Sequence, residues 1–354
     1  MKKKVLHVIN SLCAGGAETL LANSLAAGGL QEHTDNTLVY FRGTSELENK
    51  IDKGVTCYSL NYKGIVSLPA TLMKLRKIIK DQKIDIVHSH LNPAGFYTHL
   101  VCPVPHVHTL HTTYSKNAET DPFKLFLERE LFFKRRQCNI ILLSEFIKED
   151  FLNAVPFRGK AFVLNNFVED VFFKPTAKVY GPGTAPLKII AIGRLSELKN
   201  FDYLLDVFTH LKEADIKLDI YGAGNISKYD QRIKKSGIKI SMMGHNHNLG
   251  EIICNYDLFI MPSKFEGFPL SIFEAMASGV PLMLSDLPSL KSIVHEHALY
   301  FNLNDAVGTA ATIGQIAAGK IDINNMAQEA QEYARKTAKR EMYIKSLLDI
   351  YNQL

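Results

Sequence analysis

The stretch DLFIMPSKFEGFPLSIFEAMAS, Asp257 to Ser278, decides the fold. Residues 257–263 read as a buried strand that closes on Pro262 and Ser263. Glu266-Gly267-Phe268-Pro269 makes a tight loop, and a helix follows from about Leu270. An apolar strand that passes through a short loop into a helix is the unit of a parallel sheet covered on both faces. The helix start offers free N–H groups and the positive end of its dipole, which together suit an anion. Glu266 in the loop and Glu274 one turn into the helix add two carboxylates at the same strand end.

Working outward, the pattern recurs along the 354 residues. Strands are predicted at 5–10, 36–41, 84–90, 104–110 and 139–144, then at 188–194, 217–224, 238–244, 257–263 and 281–286. Helices are predicted at 16–27, 71–81, 123–136, 200–213 and 269–278, with a long C-terminal helix over 322–354 that breaks near Lys336. The two sets are separated by FFKPTAKVYGPGTAPLK, 172–188, which is rich in Pro and Gly and has no helical period. The fold class is therefore α/β, with two doubly wound domains expected to face a central cleft with the carboxyl ends of their strands. Boundaries are placed at 1–170 for the first domain, 171–187 for the linker, 188–335 for the second and 336–354 for a C-terminal helix returning to the first.

Composition bounds the function classes. Hydrophobic residues make up 46% and charged residues 22%, as in ordinary globular proteins. No apolar run approaches the roughly 18 residues of a membrane span. The basic start before Val5 is followed by too short an apolar run for a secretory signal. Five scattered cysteines without a CxxC pair point to a reduced, cytoplasmic compartment. Residues 1–165 hold 21 Lys+Arg against 15 Asp+Glu, an excess that favours anionic partners but, without a recognition motif, not nucleic acid.

Several loops at strand ends carry chemistry. GGAE, 15–18, follows the first strand and opens a helix, and Gly15 and Gly16 let a ligand approach the backbone. It lacks the third glycine of a dinucleotide fingerprint and the lysine of a P-loop. IGRLSELKN, 192–200, puts Gly193, Arg194 and Lys199 just past a strand, where a guanidinium fork and an ammonium suit a diphosphate. Gly222 in YGAG, 221–224, turns another strand end of the same domain. A nucleotide sugar has the complementary parts: a ribose diol for one carboxylate, phosphates for the cations and N–H groups, sugar hydroxyls for the other acid.

EGFPLSIFE, 266–274, resembles the E-x7-E motif of the retaining GT-B glycosyltransferases of the large family-four group. The resemblance runs through GGAE, VHTLHTTY (107–114), VLNNFVED (163–170) and IGRLSELKN in the family's order. It implies Glu274 on the ribose hydroxyls, Glu266 beside the donor sugar, and Arg194 and Lys199 on the diphosphate. It further implies that the backbone of Gly267, Phe268, Pro269 and Leu270 holds phosphate and sugar, and that His111 reaches the donor sugar from the first domain. Gly15, Gly16, Gly193 and Gly222 complete the donor-binding set. The implied activity is hexose or N-acetylhexosamine transfer from a nucleotide sugar, most readily UDP-linked, to a glycan or lipid-linked acceptor in bacterial surface polysaccharide synthesis. No cofactor is implied. Alternatives are a sugar-nucleotide epimerase of the same fold and a non-catalytic sugar-nucleotide-binding subunit. Two positions depart from the family: Asn200 replaces the usual Gly after Lys199, and NNFVED replaces the commoner Asn-Gly-Val-Asp.

Four His-x-His pairs, 88/90, 106/108, 245/247 and 295/297, have no third ligand at fixed spacing, so no metal is expected. His245 and His247 are expected to border the nucleotide base. The helix 123–136 and the cations Lys74, Arg76, Lys77 and Lys80 make peripheral contact with an anionic membrane, at the inner face of the plasma membrane, a further expectation.

Overall fold

A computed structural model describes residues 2–13, 15–43, 45–111, 113–114, 130, 133, 138–174, 186–211, 214–246 and 248–354. The expected helix 123–136, His247 and most of the expected linker lie outside these residues, Glu130 and Phe133 excepted. The chain divides into two compact units, Met1–Phe167 with Arg340–Leu354, and Val168–Lys339.

The first unit is built on a seven-stranded sheet, with β1 Lys4–Ile9, β2 Asp35–Tyr40, β3 Thr56–Ser59, β4 Ile86–His90, β5 His106–Leu110, β6 Asn139–Leu142 and β7 Ala161–Val163. Their order is β3-β2-β1-β4-β5-β6-β7, every pairing parallel. Alternation along β1 sends Val5 and Ile9 into one core and Leu6 and Val8 into the other, as a sheet buried on both faces requires. The first of these cores is completed from the far end of the sequence. Helix Arg340–Asn352 adds Tyr343, Ile344, Leu347, Ile350 and Tyr351 to it. Lys3 Nζ donates to the Tyr351 carbonyl at 2.7 Å, and the Tyr351 hydroxyl meets His88 Nδ1 at 2.7 Å.

The second unit carries β8 Leu187–Ile192, β9 Ile216–Tyr221, β10 Ile240–Gly244, β11 Leu258–Met261, β12 Leu282–Ser285 and β13 Leu299–Phe301, ordered β10-β9-β8-β11-β12-β13 and all parallel. Strand order reverses between β8 and β11, which makes the carboxyl ends of these two strands the switch point where ligands of such sheets bind. The long C-terminal helix is in fact two, Asn324–Thr337 and Arg340–Asn352, and the chain passes from one unit to the other between them. Among the described residues no helix is long and apolar enough to cross a membrane.

Candidate active site

The loops after β8, β9, β10 and β11 bring most of the expected donor-binding residues to one edge of the second sheet. Gly193 and Arg194 leave β8, Gly222 leaves β9, His245 follows β10, and Glu266 to Leu270 follow β11. Close backbone approach explains two of the glycines. A Cβ on Gly222 would lie 1.8 Å from the Gly193 carbonyl oxygen, so no side chain fits there. A Cβ on Gly193 would press on the Lys199 side chain at 3.1–3.3 Å.

Asn200, where the family favours Gly, sits in the left-handed region at φ 53° and ψ 39°, immediately before helix Phe201–Thr209. Asn is among the few non-glycine residues that visit this region readily. The departure from the family pattern therefore keeps the turn.

At the switch point, Lys199 Nζ donates to Glu266 Oε1 at 2.5 Å, and Ser263 Oγ donates to the same oxygen at 2.5 Å. Ser263 is itself held by Ser285 Oγ, which donates to the Ser263 carbonyl at 2.7 Å. Glu266 is buried, 8% exposed, and these two donors satisfy its Oε1. Arg194 is exposed and forms no ion pair with any described residue. The helix Leu270–Ala277 starts at Pro269 with no side chain capping it, which leaves its first N–H groups for a ligand. Phe268 stacks on Phe273, ring centres 4.6 Å apart and planes within 9°, and so fixes the loop against the helix.

Glu274 lies on the same helix, partly buried. Desolvation, with the negative charge of Glu169 second, pushes its carboxyl up to about 7. His245 is exposed in the loop after β10. His111, Gly15 and Gly16 belong to the first unit. His111 follows β5, and burial holds its imidazole down to about 4, with a buried Nε2 that has no partner among the described residues. Gly15 caps helix Gly16–Ser24 in an extended conformation, and a Cβ on Gly16 would meet nothing within 4 Å.

Two residues with direct influence on the site were given no role from the sequence, although Glu169 lies within VLNNFVED. Ser263 precedes Glu266 by three positions, a spacing that suggests a local contact. Glu169 acts on Glu274 only through the fold.

The family model described as "Glycosyltransferase Family 4" matches residues 14–171, and that described as "Glycosyl transferases group 1" matches residues 186–318. The UDP-Gal:alpha-D-GlcNAc-diphosphoundecaprenol alpha-1,3-galactosyltransferase of Escherichia coli is 26% identical over 265 residues, covering 66% of this chain and 67% of that protein. The N-acetyl-alpha-D-glucosaminyl L-malate synthase of Bacillus anthracis is 24% identical over 364 residues, covering 96% and 93%. Among solved structures, Anabaena Alr3699/HepE in complex with UDP-glucose superposes with a TM-score of 0.80 at 15% identity, covering 99% and 100%. Its likeness assigns the GT-B fold. With its two parts matched in turn by the two family models, the chain belongs to the group 1 glycosyltransferases.

Proposed function

We propose that this chain transfers a hexose or N-acetylhexosamine, with retention of configuration and without a metal, from a UDP-sugar to a glycan or lipid-linked acceptor in bacterial surface polysaccharide synthesis. The observation that carries the reading is the Lys199–Glu266–Ser263 cluster at the switch point of the second sheet, beside Arg194, which forms no ion pair with any described residue. An ammonium has three donors, so Lys199 can hold Glu266 and still offer N–H to a phosphate oxygen. Arg194 adds a bidentate fork, and the start of helix Leu270–Ala277 adds backbone donors.

In the proposed reaction the bond between the sugar's anomeric carbon and the diphosphate oxygen breaks. The bond to the acceptor oxygen forms on the same face, and the acceptor's proton passes to the departing phosphate. Negative charge grows on that phosphate, where the two cations and the helix start stabilise it. Glu266 accepts from a sugar hydroxyl, Glu274 from the ribose diol, and His111 offers a neutral imidazole to the donor sugar. Two relatives support donor and acceptor class by what their names say of them: one acts from UDP-Gal on a diphosphoundecaprenol-linked sugar, and one structure holds UDP-glucose.

A surface feature of the first unit fits a lipid-linked acceptor. Ile65, Val66 and Met73 are 71%, 93% and 74% exposed, and exposed Lys63, Lys74, Arg76, Lys77 and Lys80 lie in the same segment. Apolar tips among cations suit the surface of an anionic leaflet at the cytoplasmic face.

The test is hydrolysis of UDP-, GDP- and ADP-sugars without acceptor, followed by proton NMR of the released sugar. A UDP-sugar should be consumed fastest and release the anomer of the donor. Release of the opposite anomer would overturn retention, and preference for GDP or ADP would overturn the nucleotide.

A further inference from the structure

The first unit holds a second cluster of donor atoms, built from residues that the proposed donor site does not use. His99 lies on helix Ala94–Val101, His106 opens β5, and Cys138 directly precedes β6. All three are buried, and one ligand atom from each lies within 4.8 Å of the others. The His99 and His106 Nδ1 atoms face each other at 3.3 Å, and Cys138 Sγ lies 3.9 Å from His106 Nδ1. We propose that His99, His106 and Cys138 bind a single zinc-class divalent ion through two Nδ1 atoms and a thiolate.

The distances lie within a few tenths of an ångström of those in a tetrahedral site. With Zn–N about 2.05 Å and Zn–S about 2.3 Å, ligand atoms stand about 3.4 Å apart for N and N, and about 3.6 Å apart for N and S. The surroundings are compatible with the tautomer that an ion needs. His106 Nε2 meets Ser89 Oγ at 2.7 Å, and Ser89 Oγ meets His108 Nδ1 at 2.9 Å. Both contacts are satisfied when His106 Nε2–H donates to Ser89 and the Ser89 hydroxyl donates to His108. That arrangement leaves the His106 Nδ1 lone pair directed at the cluster, the orienting contact that metal-bound histidines usually make.

A cavity of about 270 Å³, lined among others by His99, Cys102, His106 and Asn139, adjoins two of the three ligands. Without an ion, burial pushes the Cys138 thiol above the ordinary thiol range, and burial holds His106 well below the ordinary imidazole range. Binding displaces one proton from Cys138, and affinity should rise with pH. The alternative triad, His7, His88 and His90, fits an ion less well, because both ring nitrogens of His88 are already engaged, by Tyr351 and Thr109.

The ion would tie a helix to two neighbouring strands of one sheet, a structural role. Titration of the whole, metal-stripped protein with Co²⁺ tests this, read by absorption. One Co²⁺ per chain should give tetrahedral ligand-field bands and a thiolate-to-metal charge-transfer band, both displaced by Zn²⁺. Cys138→Ser should abolish the charge-transfer band, and His99→Gln should weaken Co²⁺ binding at least tenfold, with circular dichroism confirming that both variants fold. Zn²⁺ should raise the wild-type Tm and leave Cys138→Ser unchanged. A tetrahedral spectrum without charge transfer, or one that persists in Cys138→Ser, would place the ion elsewhere and overturn the proposal. Failure of Co²⁺ and Zn²⁺ to bind the wild type would do the same.

Discussion

Glu266 Oε1 accepts from both Lys199 and Ser263, so the lysine assigned to the diphosphate is already committed before donor arrives. Arg194, by contrast, is uncommitted among the described residues. Removing either cation should therefore slow transfer, but with different effects on stability. Arg194→Ala should lower kcat about 10²-fold with little effect on stability. Lys199→Ala should cost as much in kcat and also lower Tm, because it leaves Glu266 buried with one donor fewer. Steady-state kinetics beside thermal melts separate the two. Glu274→Gln should weaken UDP-sugar binding by about 1–3 kcal/mol in calorimetry, the cost of leaving ribose hydroxyls without a charged acceptor. The wild-type carboxyl, raised to about 7, is half protonated near neutrality. Wild-type affinity should accordingly fall as pH drops through 7, and Glu274→Gln should flatten that dependence. Glu266, Glu274, Arg194 and Lys199 were singled out by motif spacing at strand ends, and the structure brings Arg194, Lys199 and Glu266 to the ends of β8 and β11. Ser263 and Glu169 were not singled out, since a serine or an acid near a loop is ordinary until its neighbour across the fold is known.

Among secondary-structure elements, the ten strands predicted from apolar runs all exist, each within a few residues of its expected ends. β3, β7 and β13 were missed, and each is the edge of its sheet. Edge strands pair on one side only and stay partly exposed, so TCYS, AFV and LYF need no long apolar run. The His-x-His spacing was equally incomplete as a guide. His88 and His90 share a face with His7 of the neighbouring strand, while His106 and His108 meet through Ser89 instead. These rings are buried and uncharged: burial holds His7 and His111 at about 4 and His108 at about 3. Unfolding exposes them to water, where imidazole titrates near 6.5. Between pH 6.5 and 4 the unfolded chain binds more protons than the folded one, so stability must fall as pH falls. Each such histidine contributes a slope of about 1.4 kcal/mol per pH unit in that window. Urea midpoints measured from pH 7 to pH 4 should drop steeply. A flat profile would mean that these rings are already protonated in the fold.

For the whole molecule, the division into two Rossmann-like units was readable from two rounds of strand and helix with a Pro- and Gly-rich break between them. The return of the chain to its first unit was suggested only by a long final helix. The exposed apolar tips Ile65, Val66 and Met73 lead to a prediction at this scale. The protein should float with liposomes containing anionic lipid at low salt, and much less with neutral ones or at high salt. Ile65→Ser with Val66→Ser should reduce recovery while UDP-sugar hydrolysis continues. Equal recovery with both lipid types would remove electrostatic docking. The placement of helix Arg340–Asn352 in the first unit has a consequence for biosynthesis. Val168–Lys339 is a continuous segment that leaves the ribosome whole, whereas the first sheet must wait for Arg340–Leu354, translated after all of the second unit. Until Tyr343, Leu347 and Tyr351 arrive, that face of the nascent sheet is only partly covered, which gives a chaperone an opportunity there.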